Sequence, residues 1–450
     1  MTTPIVDFVK KYAENDALRL HMPGHKGKCF LGVEGLDITE IDGADVLYSA
    51  DGIIKQSENI ATEIFGTQRT VYSTEGSSLA IRAMLYLTKL YAKAQGARPI
   101  VLAGRNAHKT FLTAAALLDL EVEWLLPNDT ESVMSCNLSE QFLDDYLSKT
   151  NQKPIALYIT SPDYLGNTVD IAAISKICKK NKILLLVDNA HGAYLRFLEN
   201  PEHPIIIGAD MCCDSAHKTL PVLTGGAYLH IATDAPALFA QNAEPAMSVF
   251  ASTSPSYLIL QSLDKANEYL KDGYTQKLNS FVEKIEELKS LLSQRGYTFI
   301  GNEPLKLTLD AKAYGYTGYE LAEKLKKSNI VCEFSDPDYL VMMLTPEMTD
   351  SQIQKLKQAL LSIKQKPPVN RTSLRLGLKK CRLSLNEAIN LPSIEMDIDK
   401  CEGKIAAVPT VMCPPAIPIV VCGEVIDQDA IEAFKYYGIN KCLVVDESYI

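Results

Sequence analysis

No stretch of this sequence is strongly basic, none is long and apolar, and no two cysteines stand at metal-binding spacing. The 450 residues carry 55 acids against 45 lysines and arginines, a formal net charge of −10. Without a basic stripe to neutralise phosphates, no nucleic-acid partner is expected. The longest apolar runs, such as residues 183–187 and 417–422, are far too short to span a bilayer, so no membrane partner is expected either. Residues 1–26 hold no continuous apolar core before charge returns, and no signal peptide is expected. The eleven cysteines are an odd number, scattered and without a C-x-x-C pair. That pattern fits neither a disulfide framework nor a zinc site; reduced, mostly buried thiols in the cytoplasm are expected. Neither a P-loop nor a Gly-x-Gly-x-x-Gly string occurs, so a Rossmann nucleotide enzyme fits poorly. Low-complexity segments and internal repeats are absent too, which argues against disorder.

What is present is an ordinary soluble composition, 47% hydrophobic and 22% charged. The length predicts two or three domains. Apolar strands at residues 99–103, 155–159 and 182–187 alternate with helical stretches at 110–120 and 171–180. That alternation predicts a parallel sheet buried on both faces. Each strand runs into polar or ring-bearing residues: Asn106-Ala107-His108-Lys109, Ser161-Pro162-Asp163-Tyr164, and Asp188-Asn189-Ala190-His191-Gly192. In open α/β sheets that carboxyl edge is where ligands bind.

The sequence is organised around Asp214-Ser215-Ala216-His217-Lys218-Thr219, with Gly225-Gly226 close behind. Lys218 stands among small, polar and ring-bearing residues rather than among charges. A lysine that attacks a carbonyl needs partial desolvation to lower its pKa. An ordinary loop lysine is the competing reading. Asp188 ends a run of five apolar residues, and a carboxylate there needs a hydrogen-bonding or positive partner. A cofactor ring nitrogen would supply one, as would a helix cap. Upstream, Thr74-Glu75-Gly76-Ser77-Ser78 leads from a strand into a helix predicted over 80–94. The Gly-Ser-Ser turn can hold phosphate on backbone N–H groups, and Ser77 can equally be a helix cap.

Elsewhere, residues 4–20 are predicted helical, ending at His21-Met22-Pro23-Gly24-His25. Pro23 and Gly24 keep the two histidines off one helical face, against a metal pair. A long helical region is predicted over 257–295, then a smaller α/β pattern over 297–363. A proline-bearing linker follows at 364–370, and a separate small unit around Pro414-Pro415-Ala416.

Together these motifs resemble the Orn/Lys/Arg decarboxylases of the aspartate-aminotransferase type fold, in the short form without an N-terminal receiver-like domain. The resemblance implies an α/β fold with a three-layer α/β/α large domain and smaller α/β domains. The expected divisions are an N-terminal arm at 1–50, a large domain at 51–256, a small domain at 257–366 and a C-terminal domain at 367–450. It implies pyridoxal 5'-phosphate as cofactor, held by Lys218 as a Schiff base, with Asp188 at the pyridine nitrogen and His108 stacked on the ring. Gly76, Ser77, Ser78, Ser215 and His217 would hold the phosphate, with Ser254 reaching in from another subunit, and His191 would support the ring. The implied reaction is α-decarboxylation of a basic amino acid, with His217 or Lys218 returning the proton, in a homodimer or larger assembly. Glu333 and Asp336 are the acids chosen for a cationic substrate side chain, against a reading of both as solvated acids. No metal is expected. The sequence departs from the family pattern at Tyr48-Ser49-Ala50, at Glu75 and at Ala416, which touches substrate identity. An aminotransferase or elimination lyase on the same scaffold, with Arg375 as carboxylate clamp, is the competing activity; a cofactor-binding protein without turnover is the other.

Overall fold

A computed structural model describes residues 2–15, 17–127, 132–150, 152–375, 377–411 and 416–450. The Pro414-Pro415 pair lies outside them. The chain begins with α1 (Pro4–Glu14), α2 (Ile53–Phe65), β1 (Arg69–Ser73) and α3 (Gly76–Ala94). β2 (Ile100–Gly104), α4 (Lys109–Leu117), β3 (Glu121–Leu125), α5 (Glu140–Lys149) and β4 (Ala156–Thr160) follow. Next come α6 (Ile171–Asn181), β5 (Leu184–Asp188), α7 (Pro204–Ile207), β6 (Met211–Asp214) and α8 (Ala216–Thr219). β7 (Ala227–Ile231), α9 (Ala237–Ser248), α10 (Tyr257–Lys271) and α11 (Tyr274–Ser293) complete the middle of the chain. The remainder holds β8 (Phe299–Ile300), β9 (Lys306–Asp310), α12 (Gly318–Lys326), β10 (Phe334–Ser335), β11 (Tyr339–Met343) and α13 (Asp350–Ser362). It ends with α14 (Leu385–Ile389), β12 (Ser393–Asp397), β13 (Thr410–Val411), β14 (Pro418–Val420), α15 (Gln428–Tyr436) and β15 (Lys441–Val445).

The packing divides the chain differently from the expected cuts at 50, 256 and 366. One compact unit holds Met1–Arg98 and Ile171–Lys277; the other holds Pro99–Asp170 and Leu278–Ile450. By Cα packing the C-terminal segment falls in the second of these units. Among the bonds that hold it there, Arg105, just past β2, donates to Pro418 O and Ile419 O at 3.0 Å each and to Glu424 Oε2 at 3.2 Å.

In the first unit the strand order is β1-β7-β6-β5. β5 and β6 are parallel, but β7 runs antiparallel to β6 and β1 antiparallel to β7. Between β6 and β7 only residues 215–226 are available, holding the four-residue α8. That is too short a connection to carry a crossover helix back along the sheet, so the chain simply returns. In the second unit β4-β2-β3 is wholly parallel, and β10-β11-β9-β8 is antiparallel throughout.

Other boundaries moved for identifiable reasons. α1 stops at Glu14 rather than 20; Leu18 and Leu20 keep helical spacing but are 84% and 82% exposed, so nothing rewards their burial. The helical region predicted over 257–295 consists of two helices, separated at Asp272-Gly273. β3 and β6, like the strands of the C-terminal segment, carry no strand prediction. Among the described residues no helix is long and apolar enough to cross a membrane. No disulfide joins the described cysteines, and Cys136, Cys178, Cys212 and Cys213 are buried.

α1 is anchored by a buried carboxylate. Asp264 Oδ2, from α10, accepts the backbone N–H groups of Ile5 and Val6 at 3.0 Å each, and Ser57 donates to Oδ1 at 2.6 Å. Burial raises the Asp264 pKa to about 6 despite these bonds. The native state therefore binds more protons than the unfolded chain between about pH 4 and 6, and stability falls as pH rises through that window. Asp264→Asn keeps the acceptor for both amides and discards the buried charge. It is expected to stabilise the protein by about 1–2 kcal/mol at neutral pH and to flatten the acid-side dependence, read by urea unfolding at several pH values.

Candidate functional site

The site is built at the carboxyl edge of β5 and β6, which pair as Leu186 with Met211, Val187 with Cys212 and Asp188 with Cys213. Because the strands are parallel, Asp188 and the Ser215-to-Lys218 turn leave the sheet at the same edge. β6 ends at Asp214 and the chain turns at once into α8, which carries His217 and Lys218. Lys218 is half-buried, and its Nζ lies 3.1 Å from His191 Nε2. Asp188 is 2% exposed. Its Oδ1 accepts the Ala190 N–H at 3.2 Å and the Cys213 thiol at 3.6 Å. Burial, then the nearby Asp188 charge, pushes the Cys213 thiol well up, so it remains a proton donor to that carboxylate.

On β1 and α3 the Gly-Ser-Ser turn is sharper than predicted. The helix starts at Gly76 rather than 80, and Glu75, not Ser77, occupies the capping position. Gly76 adopts φ +74°, and a Cβ there would meet no atom within 4 Å, so the conformation alone demands glycine. Its own N–H is spent on Gly225 O at 2.7 Å. Ser77 and Ser78 thus form the first turn of a 19-residue helix, whose N-terminal end favours anions. Ser215 Oγ donates to Ser77 Oγ at 2.8 Å, joining that helix start to the lysine turn.

His217 is held by one carbonyl: its backbone N–H and ring Nδ1 lie 3.1 and 3.0 Å from Gly226 O. Nδ1 therefore carries the hydrogen. Burial, and secondarily the Lys218 charge, lowers the His217 pKa, leaving a neutral ring whose Nε2 is an acceptor. Only protonation would let Nε2 donate to a phosphate, and a dianion beside it would favour that. Ser254 is exposed, and its loop is tied within the same chain, since Ser252 N–H donates to Glu75 Oε1 at 2.8 Å.

Lys218, Asp188, His191, His217, Ser215, Gly76, Ser77, Ser78 and Ser254 all belong to one unit. His108 belongs to the other, where it caps α4 by accepting the Thr110 N–H at 3.2 Å on Nδ1. The two substrate acids fare differently. Glu333 is exposed and accepts the Tyr164 hydroxyl at 2.9 Å. Asp336 is 0% exposed, and its Oδ1 accepts the N–H groups of Asp338 and Tyr339 at 2.8 and 2.6 Å. It closes the turn between β10 and β11, so it is not the solvated acid of the competing reading. Arg375 is exposed outside any helix or strand, a poor carboxylate clamp. His21 and His25 go to separate partners, Tyr12 and Asp37.

Sequence reasoning missed the side chains beneath the site. Asp214, His203 and His230 are each 0% exposed, and both imidazoles contact one carboxylate oxygen. Asp214 carried the same signal as Asp188, an acid ending a buried strand.

This donor set fits pyridoxal phosphate: an amine for the aldehyde, a helix start with two hydroxyls for the phosphate, and a buried carboxylate for the ring nitrogen. Residues 3–305 match the major domain of the Orn/Lys/Arg decarboxylases, and residues 384–442 match their C-terminal domain. An arginine decarboxylase of Bacillus subtilis is 27% identical over 95% of this chain and 92% of its own length. The lysine decarboxylase LdcF of Francisella novicida superposes with a TM-score of 0.80 at 17% identity, over 99% of this chain and 81% of that one. An SPT solved with PLP shares the fold more distantly, with a TM-score of 0.54 at 13% identity over 68% of this chain and 75% of that one. A major-domain match of that extent settles the lineage: the chain belongs to the Orn/Lys/Arg decarboxylase family, acting on basic amino acids through an aspartate-aminotransferase-like α/β fold.

Proposed function

We propose that this protein removes the α-carboxylate of arginine, yielding carbon dioxide and agmatine for polyamine synthesis, with pyridoxal phosphate held on Lys218. The observation that carries the reading is the Lys218 amine, half-buried and hydrogen-bonded to His191 beside the buried Asp188. When bound, the cofactor supplies the electron sink for the pair left by the departing carboxylate.

The chain's own residues do the rest. His191 would accept a hydrogen bond from the Lys218 nitrogen across the 3.1 Å contact and so orient the amine. Asp188 would keep a ring nitrogen protonated. Ser77, Ser78 and Ser215 would anchor a phosphate at the α3 N-terminus, with His217 joining once protonated. Lys218, released from the cofactor as the substrate binds, would return the proton to Cα. His108 would cover the ring, and a second copy of the chain would bring Ser254 to its neighbour's phosphate in a cytoplasmic homodimer. Glu333 is the acid retained for the cationic end of the substrate.

Arginine is preferred because the nearly full-length Bacillus subtilis relative bears that name. The test is an equimolar competition of arginine, lysine and ornithine with added pyridoxal phosphate, following carbon dioxide and identifying the amine by mass spectrometry. Agmatine should dominate. Dominance of the lysine or ornithine product would refute arginine as substrate, and keto acid or ammonia without carbon dioxide would refute decarboxylation.

A further inference from the structure

Beneath the lysine turn lies a sealed polar cluster. Asp214 Oδ2 is 2.9 Å from His203 Nε2 and 3.1 Å from His230 Nε2, while Asp214 Oδ1 accepts the Asn189 side-chain amide at 2.7 Å. Four fully buried polar side chains in one place require a reason, because each costs free energy unless its hydrogen bonds are made.

A His-Asp-His set with ligand atoms within 4.8 Å of one another has the composition of a metal site. The tautomers decide against one. His203 Nδ1 accepts the Ile205 N–H that it caps, so the ring's hydrogen sits on Nε2, which donates to Asp214 and has no lone pair for a metal. His230 Nδ1 is 2.8 Å from the Thr70 hydroxyl, itself 2.8 Å from the Thr67 hydroxyl. With Thr70 donating to the ring and Thr67 to Thr70, His230 too is an Nε2–H donor. Asp214 therefore receives three N–H groups. Burial opposes its ionisation, but the two rings outweigh burial and hold its carboxyl well below the usual range.

What this carboxylate grips matters more than what grips it. Asn189 follows Asp188 directly, and its backbone N–H continues the ladder to Cys213 O at 3.0 Å. Its side chain runs under Gly192 so closely that a Cβ there would come within 2.1 Å of Asn189 Oδ1. The same residue closes the turn, since Gly192 N–H donates to Asn189 O at 2.8 Å. That turn presents His191 to Lys218. On the other side, Asp214 is the residue immediately before Ser215-Ala216-His217-Lys218.

We propose that Asp214 is a positioning residue: seated on two buried imidazoles, its carboxylate clamps Asn189 and so fixes the Asp188–His191 turn against the Ser215–Lys218 turn. This rests on Lys218 being the cofactor lysine. Asp214→Asn sets an NH₂ group against either the Asn189 amide or the two imidazole N–H groups, so the Asn189 amide must turn over or a contact fails, and the charge that held all three donors is gone. Asn189→Ala removes the same link without touching the buried charge.

The test uses the full-length protein with pyridoxal phosphate. Borohydride reduction and peptide mapping of the parent come first; absence of a label on Lys218 would overturn both this inference and the functional reading beneath it. With the parent labelled, the variants decide this inference alone. Each should bind the cofactor about 10- to 100-fold more weakly, the loss expected when a buried donor or acceptor is orphaned. The folded, loaded variants should also show altered visible circular dichroism of the bound cofactor, a signature that a general loss of stability does not produce. The double variant should be little worse than either single one, because both cut one link. Parental affinity and dichroism in both variants would overturn the clamp, as would stoichiometric metal retained at the cluster. Should Asp214→Asn fail to fold, Asn189→Ala carries the same measurements.

Discussion

Lys218→Ala is expected to lower carbon dioxide release from arginine by at least about 10⁴-fold, the scale of loss when a covalent nucleophile is removed. No neighbour can substitute. His191 and His217 carry ring nitrogens, His217 with its hydrogen committed to the Gly226 carbonyl, and neither forms an imine with an aldehyde. The helix start, the Ser77–Ser215 pair and Asp188 are untouched by the change, so the variant should still bind pyridoxal phosphate noncovalently. Loss of the borohydride-stable label, with retained cofactor by equilibrium dialysis, separates lost chemistry from lost folding. Retention of more than a few per cent of activity would remove Lys218 from the mechanism.

The largest expected effect on stability lies at Arg105. The Arg105–Glu424 ion pair is nearly sealed, with side chains 9% and 3% exposed, and the guanidinium also serves two backbone carbonyls. Glu424 in turn accepts the Val421 N–H at 2.9 Å. Arg105→Met leaves a buried carboxylate without its cation and strips Pro418 O and Ile419 O of a donor. A loss of about 3–5 kcal/mol is expected, because breaking one side of a buried pair costs far more than the pair contributes. Adding Glu424→Gln should recover part of it. Urea unfolding measures the loss, and proteolysis should reach the segment beyond Gly377 first; an unchanged midpoint would show that the pair is dispensable.

How far the sequence led depended on whether a signal was local. Lys218 and Asp188 were legible because strand-end polarity is written in consecutive residues. Gly76-Ser77-Ser78 was legible as a turn into a helix, although that helix starts four residues before the predicted position, since glycine at a first helical position reads as a breaker. The fold class followed from strand and helix alternation. The strand directions of β1 and β7 did not, because direction is set by connection length and pairing partner rather than by composition. The Asp214 cluster was invisible for a different reason: His203, His230, Asn189 and Thr70 come from separate elements and meet only in three dimensions. The burial of Asp336 was not legible, because sequence shows a charge but not the two backbone amides that hold one of its oxygens. Leu18 and Leu20 misled in the opposite way, their apolar spacing implying a buried face that nothing covers.

The Arg105 contacts also bear on how the protein is made. They join residues 313 to 319 positions apart, so the guanidinium emerges from the ribosome long before its partners exist. Contacts of such sequence separation form late, after their loop-closure entropy has been met by other structure. Until residues 418–424 arrive, Arg105 at the end of β2 lies near Trp124 without its carboxylate or its two carbonyl acceptors. The last tenth of the chain is thus a kinetic latch. A nascent chain stalled or truncated before it would present a sticky intermediate to chaperones and proteases, and fusions at the C-terminus should slow maturation more than fusions at the N-terminus.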